Sequence, residues 1–336
     1  MKIRLFFILA IILCCLPLHT LAEDEDAPLE IEPVYPDNQL ADTKGYFNLL
    51  VEPGETQTLE LRVANNLDTE LTLAGSSANA YTHPTGGMLY GTGINSENSI
   101  LLDDAIHLAD LIKIDESITI PPQSTVNVPI EVTSPDEDGQ TFLGAVILTT
   151  EPESMEVEET AENDSANVIL NTETSYTVAL QLNLPAETTP DFSLGGAGFL
   201  NGTGEVFIEM TNNAHLIQEE IIGEYAVSDQ EGNELFSGEI PSFKMAPKSQ
   251  IRYSIPWQNE TLADGTYTLN LNGTAGGEEF SASETFTIEN EDIQEFEEKN
   301  LPNTTASGNT GIPIWIWIAG AVVFGMLMFI IGKKIK

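Results

Sequence analysis

Residues 56–66 read TQTLELRVANN, and within this stretch Leu59, Leu61 and Val63 alternate with polar side chains. Successive side chains of a β-strand point to opposite faces of a sheet, so a period of two predicts a strand with one buried face. The Asn65-Asn66 pair ends the alternation, and asparagine is a preferred turn residue. The stretch therefore predicts a half-buried strand that runs into a turn.

The same pattern recurs on both sides of this strand. Within residues 31–150 the apolar positions are Phe47, Leu49, Val51, Leu71, Leu73, Val126, Val128, Ile130 and Val132, followed by a run from Gly144 to Leu148. Within residues 170–290 they are Val178, Leu180, Leu182, Leu184, Val206, Ile208, Met210, Tyr267, Leu269, Leu271, Phe280, Phe286 and Ile288. Short alternating strands separated by Gly, Pro, Asn and Asp are typical of antiparallel sandwiches. We therefore predict an all-β fold with two tandem immunoglobulin-like β-sandwich domains, at 31–150 and 170–290.

Three segments depart from this pattern. Residues 151–169 are rich in acid and lack basic residues, and they have too little apolar surface to offset their chain entropy, so we predict an acidic linker or loop. Residues 101–114 carry apolar side chains at a helical spacing, which predicts one short helix. The glycine-rich run at 195–204 predicts a loose loop. The two blocks share their period without a residue-level repeat, so no internal duplication is predicted.

The two ends of the chain predict export and membrane anchoring. Residues 1–22 combine a basic start, a short apolar run and a small-residue end, the order of a secretory signal peptide. Residues 312–331 are uncharged and apolar, long enough to span a bilayer as one C-terminal transmembrane helix. The lysines of the 332–336 tail place that tail in the cytoplasm. The predicted localisation is the cell membrane, as a single-pass type I protein with an extracellular ectodomain.

Residues 291–311 turn acidic and then rich in Asn, Thr, Ser and Gly, which predicts a flexible stalk. They contain Leu301-Pro302-Asn303-Thr304-Thr305, which resembles the Leu-Pro-x-Thr-Gly sorting signal cleaved by sortases. The match departs at its fifth position, where Thr305 replaces glycine. Covalent attachment to the cell wall and a retained membrane anchor both stay open.

The charge of the chain is strongly one-sided. There are 12 basic and 53 acidic residues, for a formal net charge of −41. Five of the basic residues lie in the predicted signal peptide and tail. A field this negative repels nucleic acid and favours basic partners. No nucleic-acid partner is therefore expected, and the charge alone names no other partner.

The sequence offers few groups for catalysis or metal binding. Outside the signal peptide the histidines are His83, His107 and His215, with no close pair, and both cysteines lie inside the signal peptide. There is no H-E-x-x-H, Cys-x-x-Cys or G-x-S-x-G motif. We predict that the protein is not an enzyme and has no catalytic residue, no metal site and no cofactor.

Carboxylate pairs are candidates for both catalysis and metal binding. Asp103-Asp104 and Glu219-Glu220 are expected by chance among so many acidic residues, and acid–base catalysis would need one carboxyl group with a raised pKa. The Asp136–Gly139 stretch, DEDG, is compatible with calcium ligation but lacks the twelve-residue EF-hand spacing. We interpret it as a solvated turn.

The segment from Tyr81 to Asn98, YTHPTGGMLYGTGINSEN, is the most distinctive candidate binding region. Glycine and polar residues surround its two tyrosines, and exposed aromatic rings are what sugars and peptides stack on. A long hairpin with both tyrosines tucked beneath it is the competing interpretation. The candidate binding residues are Tyr81, His83 and Tyr90.

Several strings together resemble the WxL-interacting protein family of Gram-positive bacteria. The strings are VYPDNQ at 34–39, GYFNL at 45–49, VEPGE at 51–55, VANN at 63–66, IPP at 120–122, GAV at 144–146 and FKMAPKS at 243–249. The order of signal peptide, two extracellular domains, membrane helix and lysine tail is also that of the family. The resemblance implies a first domain that binds peptidoglycan and a second that binds host matrix protein or the partner WxL protein. The matching positions are mainly turn and core residues, so no ligand contact carries over.

The predicted function is a cell-surface binding protein that tethers WxL-domain proteins to the bacterial envelope. Peptidoglycan and host extracellular matrix protein are the other expected partners. Two alternatives stay open: a cell-wall glycan-modifying enzyme, which would release soluble fragments, and a membrane-anchored sandwich-domain chaperone, which would bind unfolded clients.

Overall fold

The computed structural model describes residues 27–300, except residues 92–95, 138, 162–163 and 260. One α-helix, α1 (Asn290–Asn300), and one 3-10 turn (Leu108–Leu111) accompany a series of strands. The strands are β1 (Leu29–Val34), β2 (Phe47–Leu50), β3 (Thr56–Asn65), β4 (Leu71–Thr82), β5 (Met88–Gly91), β6 (Ser99–Leu101), β7 (Ile112–Lys113), β8 (Ser117–Ile120), β9 (Ser124–Thr133), β10 (Thr141–Thr150), β11 (Glu153–Ala161), β12 (Asp164–Thr172), β13 (Ser175–Asn183), β14 (Phe192–Leu200), β15 (Glu205–Asn212), β16 (Gln218–Ser228), β17 (Glu234–Met245), β18 (Ser249–Pro256), β19 (Gly265–Ala275) and β20 (Glu278–Ile288).

The first sandwich packs two sheets around one core. One sheet has the order β1-β3-β9-β7, and the other has the order β2-β13-β10-β4-β5 with β8 also paired to β4. The alternating residues of 56–66 have the predicted buried face, because Leu59, Leu61 and Val63 of β3 are at most 1% exposed and belong to this core. Their neighbours Glu60 and Arg62 face solvent.

The second sandwich packs the sheet β14-β15-β18-β6 against the sheet β17-β16-β19-β20. Its core contains the predicted alternating positions of β15 and β19, such as Ile208 and Leu271. An aromatic chain lies at one side of this core, with ring centroids of Trp257 and Tyr267 5.2 Å apart and those of Tyr267 and Phe286 5.6 Å apart. The all-β prediction and its β-sandwich architecture are thus confirmed.

Strand β13 lies in a different sandwich from the one that the sequence pattern suggested. Its residues Val178, Leu180 and Leu182 follow the acidic segment in sequence, and the pattern placed them in the second block. In the structure they are buried in the first core, because β13 pairs with β10 and β2. Alternation predicts that a strand has a buried face but carries no information on which sheet it joins.

The acidic segment predicted as a linker or loop forms a hairpin instead. Strands β11 and β12 pair antiparallel, from Glu153 opposite Thr172 to Ala161 opposite Asp164. This hairpin is a separate two-stranded sheet. It connects β10 and β13, which are neighbours in the first sandwich, so the segment extends a strand pair rather than joining two domains.

Three further local predictions differ from the structure. The helix predicted at 101–114 is reduced to the single 3-10 turn, which is followed directly by β7. The glycine run at 195–198 lies inside β14, where the register with β15 shifts between Leu194 and Ala197, and glycine is common at such bulges. The predicted stalk begins with α1, whose Ile293 packs against the second core and whose Glu295 accepts a hydrogen bond from Asn201 at 2.6 Å.

A buried asparagine closes one corner of the first sandwich. Asn65 ends β3 and is fully buried. Its Nδ2 lies 2.8, 3.1 and 3.2 Å from the carbonyl oxygens of Thr69, Ile120 and Pro121, and its two hydrogens serve these three acceptors, so one hydrogen is shared. Its Oδ1 accepts the Leu67 N–H at 3.0 Å. The side chain therefore ties the turn after β3 to the turn before β9.

Asn212 makes the same connections in the second sandwich. It ends β15, is fully buried, and donates through Nδ2 to the carbonyls of Leu216 and Ala246 at 2.7 and 3.0 Å. Its Oδ1 accepts the Ala214 N–H at 3.2 Å. This corner ties the turn after β15 to the turn before β18.

The two corners form a residue-level repeat that the alternation alone does not reveal. Asn65 lies opposite Ser124 and Asn212 lies opposite Ser249 in their strand pairs. Each serine follows a proline and one residue with positive φ, which is Gln123 at 50° or Lys248 at 51°. In the sequence, each corner is marked by Asn-Asn at the end of one strand, at 65–66 or 212–213. The strand that pairs with it begins at the serine of Pro-x-Ser, at 122–124 or 247–249.

Four predicted segments lie outside the described residues: the signal peptide at 1–22, the sorting-signal-like residues 301–305, the transmembrane helix at 312–331 and the tail at 332–336. Within residues 27–300, no helix is both long enough and apolar enough to cross a membrane.

Candidate binding surfaces

The predicted binding segment joins the two sandwiches. Thr82, at the end of β4, lies with its Oγ1 2.6 Å from the Ser249 Oγ and accepts the Ala246 N–H at 2.9 Å. Both hydroxyl groups are fully or almost fully buried. A little further on, the Ser254 N–H donates to the Pro84 carbonyl at 3.0 Å. The hairpin tip after β4 is therefore part of the interface with the second sandwich.

Strand β6 extends this interface. It follows β5 in the chain, yet it pairs with β18 and becomes the edge strand of a sheet in the second sandwich. Two ion pairs flank it, between Asp104 and Lys248 at 2.6 Å and between Glu97 and Arg252 at 3.1 Å. A strand donated by the first sequence block thus completes the second sandwich, so the two sandwiches dock through a continuous interface.

The two tyrosines of the candidate binding set, Tyr81 and Tyr90, are both shielded from solvent to a large extent. Tyr81 is only 7% exposed. Tyr90 is half-buried and packs on a small cluster formed by Ala80, Leu143 and Ala246. Burial, and then the neighbouring Tyr46, raises the pKa of Tyr90 to about 12. In the structure both rings help to pack the fold, and a role in ligand contact stays a prediction.

His83 lies apart from these rings at the exposed turn. Its Nδ1 accepts the Thr85 N–H at 3.2 Å and lies 2.8 Å from the Thr85 Oγ1. These contacts close the turn before β5 around the imidazole. The three candidate residues therefore share one hairpin but do not converge on a common point.

One carboxylate of each candidate pair forms an ion pair with a lysine. Asp104 bonds Lys248, and this hydrogen bond lowers the pKa of the Asp104 carboxyl. Glu219 bonds Lys244 at 2.7 Å. A general acid needs a raised pKa, the opposite of the shift at Asp104. Among the described residues, no group of three or more His, Cys, Asp or Glu side chains is placed to hold a metal ion.

A large groove lies on the second sandwich, with a volume of about 870 Å³. We call it the sheet groove, and its lining includes Ile222, Glu224, Glu239, Asn272, Glu279 and Phe280. The three glutamates are exposed, and none of them forms an ion pair with a basic side chain of the described residues. The sequence pattern does not predict this groove, although the Ile221-Ile222 pair breaks the alternation of β16 and is a usable signal.

A second groove, of about 400 Å³, opens at the end of the first sandwich where the β11–β12 hairpin leaves it. We call it the end groove. Its lining combines the partly buried Tyr176 with five threonines: Thr69, Thr72, Thr150, Thr172 and Thr174. The Thr150 Oγ1 accepts the Thr174 N–H at 3.0 Å. An aromatic ring among hydroxyl groups is chemistry that suits a sugar, since rings stack on sugars and hydroxyls exchange hydrogen bonds.

Comparisons with known proteins also divide the chain into two parts, with a boundary that lies before β13 rather than after it. A model of the WxL Interacting Protein peptidoglycan binding domain matches residues 29–150, and a model of the WxL Interacting Protein host binding domain matches residues 165–298. The sequence matches none of the curated proteins.

Two solved structures of low sequence identity are similar. One is the CsuC–CsuE chaperone–tip adhesion subunit pre-assembly complex of Acinetobacter baumannii, at 10% identity and a TM-score of 0.35, covering 77% of this chain and 98% of that one. The other is the SafA pilin with the SafB chaperone of Salmonella enterica, at 10% identity and a TM-score of 0.32, covering 77% and 96%. Similarity this low transfers no function. Because the two family models together match most of residues 29–298, the chain belongs to the WxL-interacting protein family.

Proposed function

We propose that this chain is a cell-surface binding protein that tethers WxL-domain proteins to the bacterial envelope. The first sandwich holds peptidoglycan, and the second holds the WxL partner or a host matrix protein. The observation that carries the proposal is the match of a peptidoglycan binding model and a host binding model to successive parts of one chain. The docked interface supports it, because two ligands held by docked sandwiches stay at a fixed distance from each other.

The end groove is the proposed peptidoglycan site of the first sandwich. Its lining combines residues that the peptidoglycan binding model matches, such as Thr69 and Thr150, with Thr172, Thr174 and Tyr176, which the host binding model matches. Tyr176 supplies a ring face, and the surrounding threonines supply hydroxyl groups that both donate and accept. The groove also opens beside the base of the acidic β11–β12 hairpin, because Glu151 and Pro152 line it. Acidic side chains near a glycan groove favour the amino groups of peptidoglycan stem peptides.

The finer expectations on architecture and anchoring belong to the same proposal. Both sandwiches are proposed to be immunoglobulin-like, which their facing sheets support, since these are antiparallel except for the parallel β2–β13 pair. The apolar segment at 312–331 and the basic tail at 332–336 are proposed to retain the chain in the cell membrane, with the ectodomain outside. Cleavage at Leu301-Pro302-Asn303-Thr304-Thr305 would instead place it in the cell wall, and mass spectrometry of the C terminus of the mature protein distinguishes the two.

A sedimentation assay tests the proposal with the full chain purified in mild detergent. The chain is mixed with cell-wall sacculi and, separately, with a purified WxL-domain protein. Co-sedimentation with sacculi and capture of the WxL protein, without release of soluble glycan, are the expected results. Release of fragments that a single Asp or Glu substitution abolishes would make the protein an enzyme. Binding to unfolded clients but to neither ligand would make it a chaperone.

One substitution tests the end groove as the peptidoglycan site. Tyr176→Ala removes the ring face, and Tyr35→Ala is the matched control, because Tyr35 is also a tyrosine of the first sandwich but is 43% exposed and lies outside the groove. We expect weaker sedimentation with sacculi for Tyr176→Ala alone. If the two variants sediment with sacculi to the same extent, the end groove is not the glycan site.

A further inference from the structure

The sheet groove lies on the outer face of the sheet β17-β16-β19-β20. Residues directly opposite each other in paired strands share a face, so the strand registers define the rows of this surface. One row crosses all four strands as Glu239, Glu224, Asn272 and Ser281. The next row contains Ile222, Thr274 and Glu279. The groove therefore runs across the strands. Glu239 and Glu224 lie on its β17–β16 side, Glu279 lies on β20 at the other side, and Ile222 is the exposed apolar side chain between the carboxylates.

Two glycines line the groove on its central strands. Gly223 and Gly273 are opposite each other in β16 and β19. A Cβ at Gly273 would lie 2.2 Å from the Ile222 carbonyl oxygen and 2.5 Å from the Phe280 ring, and a Cβ at Gly223 would lie 2.6 Å from the Asn272 carbonyl oxygen. The close approach of these backbones needs glycine on both strands, and the depression on the outer face lies directly over them.

The charges of the groove are unfavourable in the free protein. Glu224 and Glu239 face each other across the β16–β17 pair, and like charges directly opposite on a sheet destabilise it. No basic side chain of residues 27–300 pairs with either group. Ile222 beside them is 48% exposed. A cationic ligand with an apolar group would relieve the repulsion and cover the isoleucine at the same time.

We propose that the sheet groove docks an extended polypeptide segment of the partner protein that carries lysine or arginine side chains on either side of an apolar one. This inference rests on the proposed function, because it assigns the partner surface of the second sandwich. A polypeptide fits better than a metal ion, since the described residues offer no metal-binding cluster. It also fits better than a glycan, since three carboxylates outnumber the two hydroxyl side chains of the lining, whereas the end groove has five threonines.

The test uses a matched pair of triple variants in the full chain. The groove variant is Glu224→Gln, Glu239→Gln and Glu279→Gln. The control variant is Glu30→Gln, Glu116→Gln and Glu297→Gln, which removes the same charge from exposed positions outside the groove. The control is essential because a chain with a net charge of −41 attracts any cation.

The probe is a short synthetic peptide with the repeat Lys-Ser-Val-Ser, which places lysine and valine on the same face when the peptide is extended, and its binding is measured by calorimetry at physiological salt. We expect the groove variant to bind about tenfold more weakly than the unmodified chain, and the control variant to change by less than about threefold. Ile222→Ser, which leaves every charge in place, is expected to weaken binding as well. Equal losses for the two triple variants would overturn the proposal, because binding would then follow the overall field.

Two further measurements separate this inference from the proposed function. Thermal unfolding of the groove variant is expected to be unchanged or at a higher temperature, because an opposed pair of like charges has been removed. Retained capture of the WxL-domain protein by the groove variant would overturn the groove assignment and leave the tethering function intact. Failure of the unmodified chain to capture that protein, with normal peptide binding, would overturn the tethering function instead.

Discussion

Replacing Asn65 with alanine tests whether the buried corner amide holds the first sandwich together. The substitution removes three donated contacts and one accepted contact, all at 3.2 Å or less. It also leaves carbonyl groups of both turns without their partner inside the protein. A typical hydrogen bond contributes about 1 kcal/mol net, and an unsatisfied buried group costs about 1–3 kcal/mol. We therefore expect Asn65→Ala to lower the free energy of unfolding by about 3 kcal/mol.

Thermal unfolding followed by circular dichroism measures this effect. For a domain of this size, about 1 kcal/mol corresponds to about 2–4 °C in Tm, so the first sandwich should unfold about 6–12 °C lower. Asn66→Ala is the control, because Asn66 makes one exposed side-chain bond, to the Ala27 carbonyl at 2.8 Å. Asn212→Ala should reproduce the large effect in the second sandwich.

A charged side chain at the same corner should make the stability depend on pH. Asn65→Asp keeps the acceptor for the Leu67 N–H but replaces the donor with an oxygen that faces three carbonyl groups. At neutral pH we expect it to be at least as destabilising as Asn65→Ala, and less so in acid, where the new carboxyl group can donate. A Tm for Asn65→Ala within 2 °C of that for Asn66→Ala would refute the account of the corner.

Three other predictions follow from the interface and the C-terminal helix. Thr82→Val should leave the Ala246 N–H without its acceptor and increase hydrogen exchange of the β6–β18 amides severalfold, whereas the exposed Thr85→Val should not. The raised pKa of Tyr90 should appear as one tyrosine that ionises near pH 12 in an absorbance titration and is missing in Tyr90→Phe. Because the folded pKa is above the unfolded value, the stability from the neutral hydroxyl is complete below about pH 10 and is lost as the pH rises through about 12. Phe296→Ala should release α1 from the second sandwich, since the Phe296 ring lies directly over Gly204, and proteolysis within 290–300 should become faster.

The strands themselves were predictable from local pattern. The alternation around Leu59 and around Ile208 arises whenever a strand buries one face, and both strands do bury one face. The family resemblance was predictable for a similar reason, because turn strings such as VEPGE and APKS are local. Even the duplicated corner has a local signal in Asn-Asn and Pro-x-Ser, but recognising it requires knowing which two strands pair.

The binding surfaces could not be predicted in the same way. The Tyr81–Asn98 segment has the composition of an exposed loop, yet contacts with Ser249 and Ala246 more than 150 residues away place it at an interface. The acidic segment after Thr150 has the composition of a linker, yet pairing between its own halves gives it a register. In the first case the contacting residues are distant in the chain. In the second case the hairpin is formed by hydrogen bonds between backbone groups, which leave no pattern of side chains in the sequence.

The sequence by itself determined the secondary structure class, the buried face of most strands, the excess of negative charge and the family. Those properties depend on side chains that act one at a time or over a few neighbours. Only the tertiary structure decided that β13 belongs to the first sandwich, that β6 completes the second, and that Glu224 faces Glu239 across a depression in the sheet. These depend on strand pairing, in which every backbone offers the same donors and acceptors and the choice of partner is made by the packing of the whole chain.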